Sequence, residues 1–350
     1  MTVLLILIIL IKVSAFNSFF VETYFATGFF PRFSNLLRLI TGWLPLSFGD
    51  IFYFVAGAWL LYKTIRFFIR LLKNKFSLGI MQKSFVKISI IAMGVYVIFN
   101  IFWGLNYNRK GISYQLNLEP DKYAAADLEN IQQLLIEKVN TAKQILIKNH
   151  AAYPDNKELF LRADKCYQQT ALSYPFMNYK YRSVKSSLYS WWGNYLGFTG
   201  YYNPFTGEAQ LNTTVPGFVL PYTTCHEMAH QIGYAKEDEA NFAGYLAATS
   251  STDTLFHYSA YVDLFIYANH LVYVTDSVSA KQAFQQLSPA VKSDIKEWRD
   301  FLIKHRTFVD GLVTWAYGKY LNANQQPKGM RTYNEVITNI IAFYKKTGKI

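Results

Sequence analysis

Apolar and polar positions divide this chain into two textures. Through the first hundred residues apolar side chains run almost without interruption: Met1 to Phe16 is broken only by Lys12, and Ile88 to Leu105 carries no charge and a single Asn100. Between them Ile51 to Leu72 is apolar apart from Lys63, Arg66 and Arg70 in its last third, where long basic side chains can snorkel towards headgroups. Runs of this length predict membrane helices over about 2–16, 51–72 and 88–105. The first lacks both a charged leading region and a small-x-small cleavage site, so it reads as an uncleaved anchor.

From residue 106 onward the pattern becomes periodic. Leu128, Ile131, Leu134, Leu135, Val139, Ala142, Ile145 and Leu146 recur at helical spacing, which predicts a packing helix with Asp127 as its N-cap. A second helix is expected over about 156–172, closed by Pro175. Aromatic runs flank the turn Asn203-Pro204-Phe205-Thr206-Gly207, the signature of a β-hairpin. Such a hairpin either covers the core or lends an edge to an extended peptide. Pro221 suits the first turn of a helix running to Ile232, with Gly233 as its stop. Further helices are expected over about 238–250, 254–274, 277–286, 290–305, 307–321 and 332–346, with turns at Ser288-Pro289 and around Pro327. The pattern therefore predicts a mainly α protein: a membrane region, 1–105, and an α+β domain, 106–350, with a small β-hairpin and a helical C-terminal part.

Charge refines the picture. The 350 residues carry 35 bases and 23 acids, a formal net charge of +12. Residues 1–105 hold ten of the bases and only two acids, Glu22 and Asp50, so +8 of the excess belongs to the apolar third. A nucleic-acid partner is therefore not expected; the lipid bilayer is. Lys63 to Lys87 contains seven bases and no acid, which predicts a cytoplasmic connection. The nearly neutral stretch 17–49 then faces outward, with Phe29-Phe30-Pro31 and Trp43-Leu44-Pro45 as interfacial anchors. The expected localisation is multi-pass in the cell membrane, with residues 106 onward extracytoplasmic. Two cysteines, Cys166 and Cys225, make no disulfide framework; Cys225 is expected to be a small buried residue, and a single bridge between them stays open.

Chemistry concentrates in Thr224-Cys225-His226-Glu227-Met228-Ala229-His230-Gln231-Ile232-Gly233. Residues i and i+4 share a helix face, so the two imidazoles can reach one ion, and Glu227 projects about 100° further round. Cys225, Met228, Ala229 and Ile232 gather on the opposite arc, an apolar stripe for the core. Thr224 and Glu227 also have the spacing of a capping box, which would start the helix at Thr224 instead. Zinc at a catalytic site needs three protein ligands and an open position. Glu237 and Glu239 are the carboxylates at hand for the third.

The His226-Glu227-x-x-His230 pattern resembles that of zinc peptidases. Glu237 and Asn241, followed by Phe242-Ala243, are similar to the third-ligand helix of the gluzincins, although only six residues separate His230 from Glu237. That resemblance implies a zincin-like metallopeptidase domain with Zn2+ held by His226, His230 and Glu237, and Asn241 orienting a histidine. Glu239 is the alternative third ligand, and Asp238 is expected to be a solvated charge. Glu227 is then the general base that activates a zinc-polarised water against a peptide bond, the substrate being a peptide or protein of the membrane or envelope. Tyr258, Tyr261, His257 and His270 are candidates for stabilising the oxyanion. The layout as a whole also resembles an uncharacterised bacterial membrane family, through its three spans, Trp103-Gly104-Leu105-Asn106-Tyr107 and Asn203-Pro204-Phe205-Thr206-Gly207-Glu208-Ala209. The alternative is a membrane-anchored binding or sensor protein with a peptidase-like fold and no turnover. An intramembrane protease is disfavoured, because Lys236-Glu237-Asp238-Glu239 cannot lie in hydrocarbon.

Overall fold

The computed structural model describes the chain except residues 74–77, 121–122, 325 and 327–334. The turn expected around Pro327 lies outside the described residues, as does the start of the helix expected at 332. What is described is mainly helical, with one small sheet.

Among the described residues two helices are long and apolar enough to cross a membrane, Phe48–Lys73 and Leu78–Phe102. The first apolar run differs from expectation. Its helix, Thr2–Ala15, has 14 residues and so a length of about 21 Å, short of the roughly 30 Å hydrocarbon core. It becomes a third candidate span only when joined to the helical segment Ser18–Thr41, and the two are bent by 95° at the break. The side chain of Asn17 caps the new direction by accepting from Phe20 N at 2.9 Å.

That second segment, which we call the support helix, replaces the outer loop expected over 17–49. It passes through a π-helical stretch, Val21–Phe29, before returning to α geometry over Phe30–Thr41. Its buried face is mixed, with Val21, Phe25, Ala26 and Phe30 beside polar residues. Glu22, Ser34, Arg38 and Thr41 are buried against the rest of the protein, while Tyr24, Phe29, Leu36, Leu39 and Ile40 are exposed. Phe30, expected as an interfacial anchor, is fully buried beside Val21, Phe25, Trp103 and Tyr107, whereas Trp43 is exposed as an anchor should be.

Beyond the spans, Ala125–Lys148 and Thr254–Thr275 pack as a long helical pair, joined by Asn156–Ser173 and Glu335–Thr347 in one apolar core. Asp127 is displaced from its expected role. The first of these helices starts two residues earlier, and Asp127 reaches back to accept from Ala124 N at 2.9 Å. Asp155 caps the next helix by accepting from Glu158 N at 2.8 Å.

The hairpin forms as expected, β2 (Gly200–Asn203) antiparallel to β3 (Glu208–Leu211). A third strand, β1 (Val184–Ser186), pairs parallel with β3, giving the order β1-β3-β2. Three residues in a polar stretch carry too little alternation to announce a strand. The sheet also grips the N-terminal end of the helix Phe48–Lys73: the Glu208 carboxylate accepts from Phe48 N and Gly49 N, capping that helix.

Candidate metal centre

The motif helix runs Leu220–Gln231, with Pro221 in its first turn and Gly233 just past its end at φ +96°. That conformation suits glycine. A Cβ there would also press on the buried Phe30 ring of the support helix at 3.0 Å. Because the helix begins at Leu220, Thr224 is internal and donates to Leu220 O at 2.7 Å, so no capping box forms. Cys225, Met228 and Ala229 are fully buried. Cys225 faces Cys166; both are free, and their thiols share a hydrogen bond that lowers Cys166 and helps burial raise Cys225.

One turn of chain carries Tyr234 and Ala235 to the next helix, Glu237–Ser250, which packs on the motif helix. Its first residue faces both imidazoles. Glu237 Oε2 lies 3.3 Å from His226 Nε2 and 3.8 Å from His230 Nε2. Tetrahedral zinc with bonds near 2.0–2.1 Å separates its ligands by about 3.4 Å, close to both distances from Glu237 Oε2. Glu239, the alternative, turns away: its carboxylate meets Lys236 Nζ at 3.3 Å and packs against Gly111.

The outer contacts fix these groups. His230 Nδ1 is 2.7 Å from Tyr234 O, which makes it the protonated nitrogen and leaves the Nε2 lone pair facing Glu237. Glu237 Oε1 accepts from Tyr317 Oη at 2.8 Å, and Glu237 N donates to Gln326 Oε1 at 3.1 Å. Asn241 lies beside His226 and favours its proton, while Nδ1 of that ring and Nδ2 of Asn241 find no hydrogen-bond partner among the described residues. Trp103, the residue after the second long span, donates its indole N–H to His230 O at 3.3 Å.

Glu227 stands apart from these pairings. Its donor atom lies within 4.8 Å of those of both histidines. Yet its carboxylate rests on Gly200, where a Cβ would come within 2.7 Å of Oε1, and Oε2 is buried with no partner among the described residues. We therefore read Glu237 as the carboxylate shared by the two rings and Glu227 as an orphan facing the same space. Burial pushes Glu227 up to about 8; the His226 charge opposes this and the Glu237 charge adds to it. Burial disfavours a proton on His226, but the Glu237 hydrogen bond and the charges of Glu227 and Glu237 win and raise it to about 9. Burial lowers His230 to about 4. Burial works against ionised Glu237, yet the His226 hydrogen bond and both imidazoles hold it near 2. Two imidazoles, a committed carboxylate and a buried orphan carboxylate make a donor set suited to zinc.

Residues 25–341 match the family model described as "Protein of unknown function (DUF3810)". The chain belongs to this family. The DUF3810 match begins inside the support helix and takes in both long spans and the whole metal-centre geometry. No curated protein and no solved structure matches the chain.

Several residues singled out in the sequence lie elsewhere in this DUF3810 chain. Tyr258 is buried on Asp294, His257 bonds Ser251 O at 2.6 Å, Tyr261 bonds Ile350 O at 3.4 Å, and His270 is exposed. None of these contacts is to the histidine cluster. Asp238 is half-buried rather than solvated, and burial with the Glu239 charge raises it to about 7. Conversely, Tyr317, Gln326, Trp103 and Gly200 border the centre with no local signal in the sequence. Asp263, from the helix Thr254–Thr275, is a further addition: burial raises it to about 7 against the His226 charge.

Proposed function

We propose that the protein is a membrane-anchored, zinc-dependent peptide hydrolase of gluzincin type, its site outside the cytoplasm. The observation that carries this reading is the convergence of His226, His230 and Glu237 beside the unpartnered Glu227 carboxylate. His226 and His230 would hold the ion through Nε2 and Glu237 through Oε2, with Tyr317 and Tyr234 O keeping the ligands oriented. A bound zinc supplies Lewis acidity and lowers the pKa of water it holds.

Glu227 takes the proton from the attacking water and later passes it to the leaving amine. Its buried, elevated carboxyl suits that exchange near neutral pH. β2 would hold the substrate. Asn212 N donates to Thr199 O at 2.9 Å, so by antiparallel alternation Gly200 turns its own N–H and C=O to the free edge beside Glu227. An extended peptide can pair there. The basic connection between Lys63 and Lys87 supports the outward orientation.

Zinc content of the full-length protein in detergent, with hydrolysis of a peptide library, tests the reading. We expect about one zinc per chain, lost in His226→Ala, and cleavage that Glu227→Gln abolishes. Zinc retained in His226→Ala would sink the site. Zinc without any cleavage would instead favour a sensor or binding protein built on the same ligands.

A further inference from the structure

The support helix buries polar side chains against the protein while exposing large apolar ones on its other side, and this bears on what reaches the site. In a water-facing helix the apolar stripe turns to the core. Here the core side carries Glu22, Ser34, Arg38 and Thr41, each engaged by the protein, beside the apolar Val21, Phe25, Ala26 and Phe30. Glu22 is clasped by Arg109 at 2.9 Å, Lys110 N at 3.1 Å and Gln115 at 2.9 Å. Ser34 donates to Gln231 O at 2.7 Å. The Arg38 guanidinium lies 4.4 Å over the Tyr179 ring, and Thr41 hydrogen-bonds Ser183 at 2.8 Å. The outer side exposes Tyr24, Phe29, Leu36, Leu39 and Ile40, continued by Trp43 and Leu46.

Water does not suit that outer face, and the helix is continuous with a medium that does. It follows the apolar helix Thr2–Ala15 after a two-residue break, turned by 95°, and is followed by the span beginning at Phe48. Thr2–Ala15 packs on the long apolar helix Leu78–Phe102, so a helix turned 95° from it lies near the plane of the bilayer. We infer that Ser18–Thr41 is an in-plane helix whose outer face sits in the lipid boundary, and that the metal centre mounted on it acts on polypeptides where they leave the membrane. The second half of this inference rests on the hydrolase reading above.

Two contacts give the height of the site. The motif helix ends directly on the support helix, through Ser34 and Gln231. Independently, the residue just past the span Leu78–Phe102, Trp103, bonds the carbonyl of His230. One helix thickness, about 10–12 Å with side chains, therefore separates the histidines from lipid. An extended chain advances about 3.3 Å per residue, so a bond presented at that height is about three to four residues past the end of a transmembrane segment.

The full-length protein in phosphatidylcholine–phosphatidylglycerol vesicles allows both halves to be tested separately. Environment-sensitive fluorophores on Leu36→Cys and Ile40→Cys report depth, quenched by lipids with nitroxides near the headgroup or deep in the acyl chain. We expect strong quenching from the shallow position at both sites. Lack of quenching by either lipid would overturn the in-plane placement. Substrate class is read from one reporter sequence fused four or twenty residues beyond a transmembrane segment, or free in solution. The four-residue fusion should be cleaved at least tenfold faster than the others, and Leu36→Glu/Ile40→Glu should erase that preference while sparing the soluble reporter. Equal rates on all three reporters would overturn the substrate class and leave the hydrolase standing. Cleavage of none, with the fluorophores quenched, would remove the hydrolase and its substrate class together while the in-plane helix stands.

Discussion

Tyr317 donates its phenolic hydrogen to Glu237 Oε1 at 2.8 Å, across 80 residues of sequence, leaving Oε2 to face both imidazoles. The bond sets which oxygen is free to bind and holds the carboxylate plane. Partners of this kind are worth about 10- to 100-fold in metal affinity. Tyr317→Phe should weaken zinc binding within that range while the protein stays folded, as measured by competition with a chromophoric chelator. An unchanged affinity would mean that the helix contacts alone hold Glu237.

The same site links zinc binding to pH. In the metal-free protein His226 is raised to about 9, so near neutrality it holds a proton that the ion must displace. Glu237, near 2, and His230, near 4, are already in their binding forms above pH 5. Zinc affinity should therefore rise about tenfold per pH unit from pH 5 to near 9 and then level off. Below about 4 a second proton, on His230, steepens the loss. Titration calorimetry in buffers of different ionisation enthalpy should find about one proton released per zinc at pH 7; none released would contradict the raised His226.

Glu227 and Gly200 should fail together without loss of metal. Glu227→Gln keeps the volume but cannot take a proton, so hydrolysis should fall by about 10²- to 10⁴-fold with zinc content unchanged. Gly200→Val places a Cβ within 2.7 Å of Glu227 Oε1 and 3.0 Å of Gln210 O. The carboxylate or the strand must shift, and a misplacement near 1 Å costs on the order of 10²-fold. Steady-state kinetics beside metal analysis separates these effects from general unfolding, in which zinc would be lost too.

What could be read in the sequence was what depends on short spacing. The i, i+4 histidines, Pro221 and Gly233, and the hairpin around Asn203-Pro204 each carry their geometry within a few residues, and the helices after Phe242 followed from periodicity. What could not be read depends on chain brought from far away. Tyr317 and Gln326 reach Glu237 from the C-terminal part, and the oxyanion candidates were sought on the neighbouring helix, whose side chains turn to Asp294 and Ser251 instead. Residues 17–49 misled for a different reason. Their near-neutral charge implies an outward-facing connection with interfacial aromatics, and nothing in it announces a helix that buries polar side chains. With lipid on the outer face, as we infer, the assignment reverses, and Glu22, Ser34 and Arg38 join Val21, Phe25 and Phe30 in the buried set.

That reversal makes Glu22 a structural key as well. Its carboxylate accepts from Arg109 Nε and Nη2, from Lys110 N and from Gln115, while Arg109 also donates to Gly233 O at 3.1 Å, just past the motif helix. Both side chains of the pair are almost completely buried, so removing one leaves the other charged, desolvated and unpaired. Glu22→Ala should therefore destabilise the protein by about 3–5 kcal/mol, read as a lowered midpoint in thermal unfolding of the detergent-solubilised chain. Replacing both by apolar residues of similar size, Glu22→Met with Arg109→Met, should recover much of that loss, because no lone buried charge remains. The double variant should still bind zinc less tightly than the wild type, since the Gly233 carbonyl loses its donor and the turn carrying the chain to Glu237 loosens. If Glu22→Ala proves neutral, water must reach Arg109, and the support helix cannot be sealed against the motif helix as described.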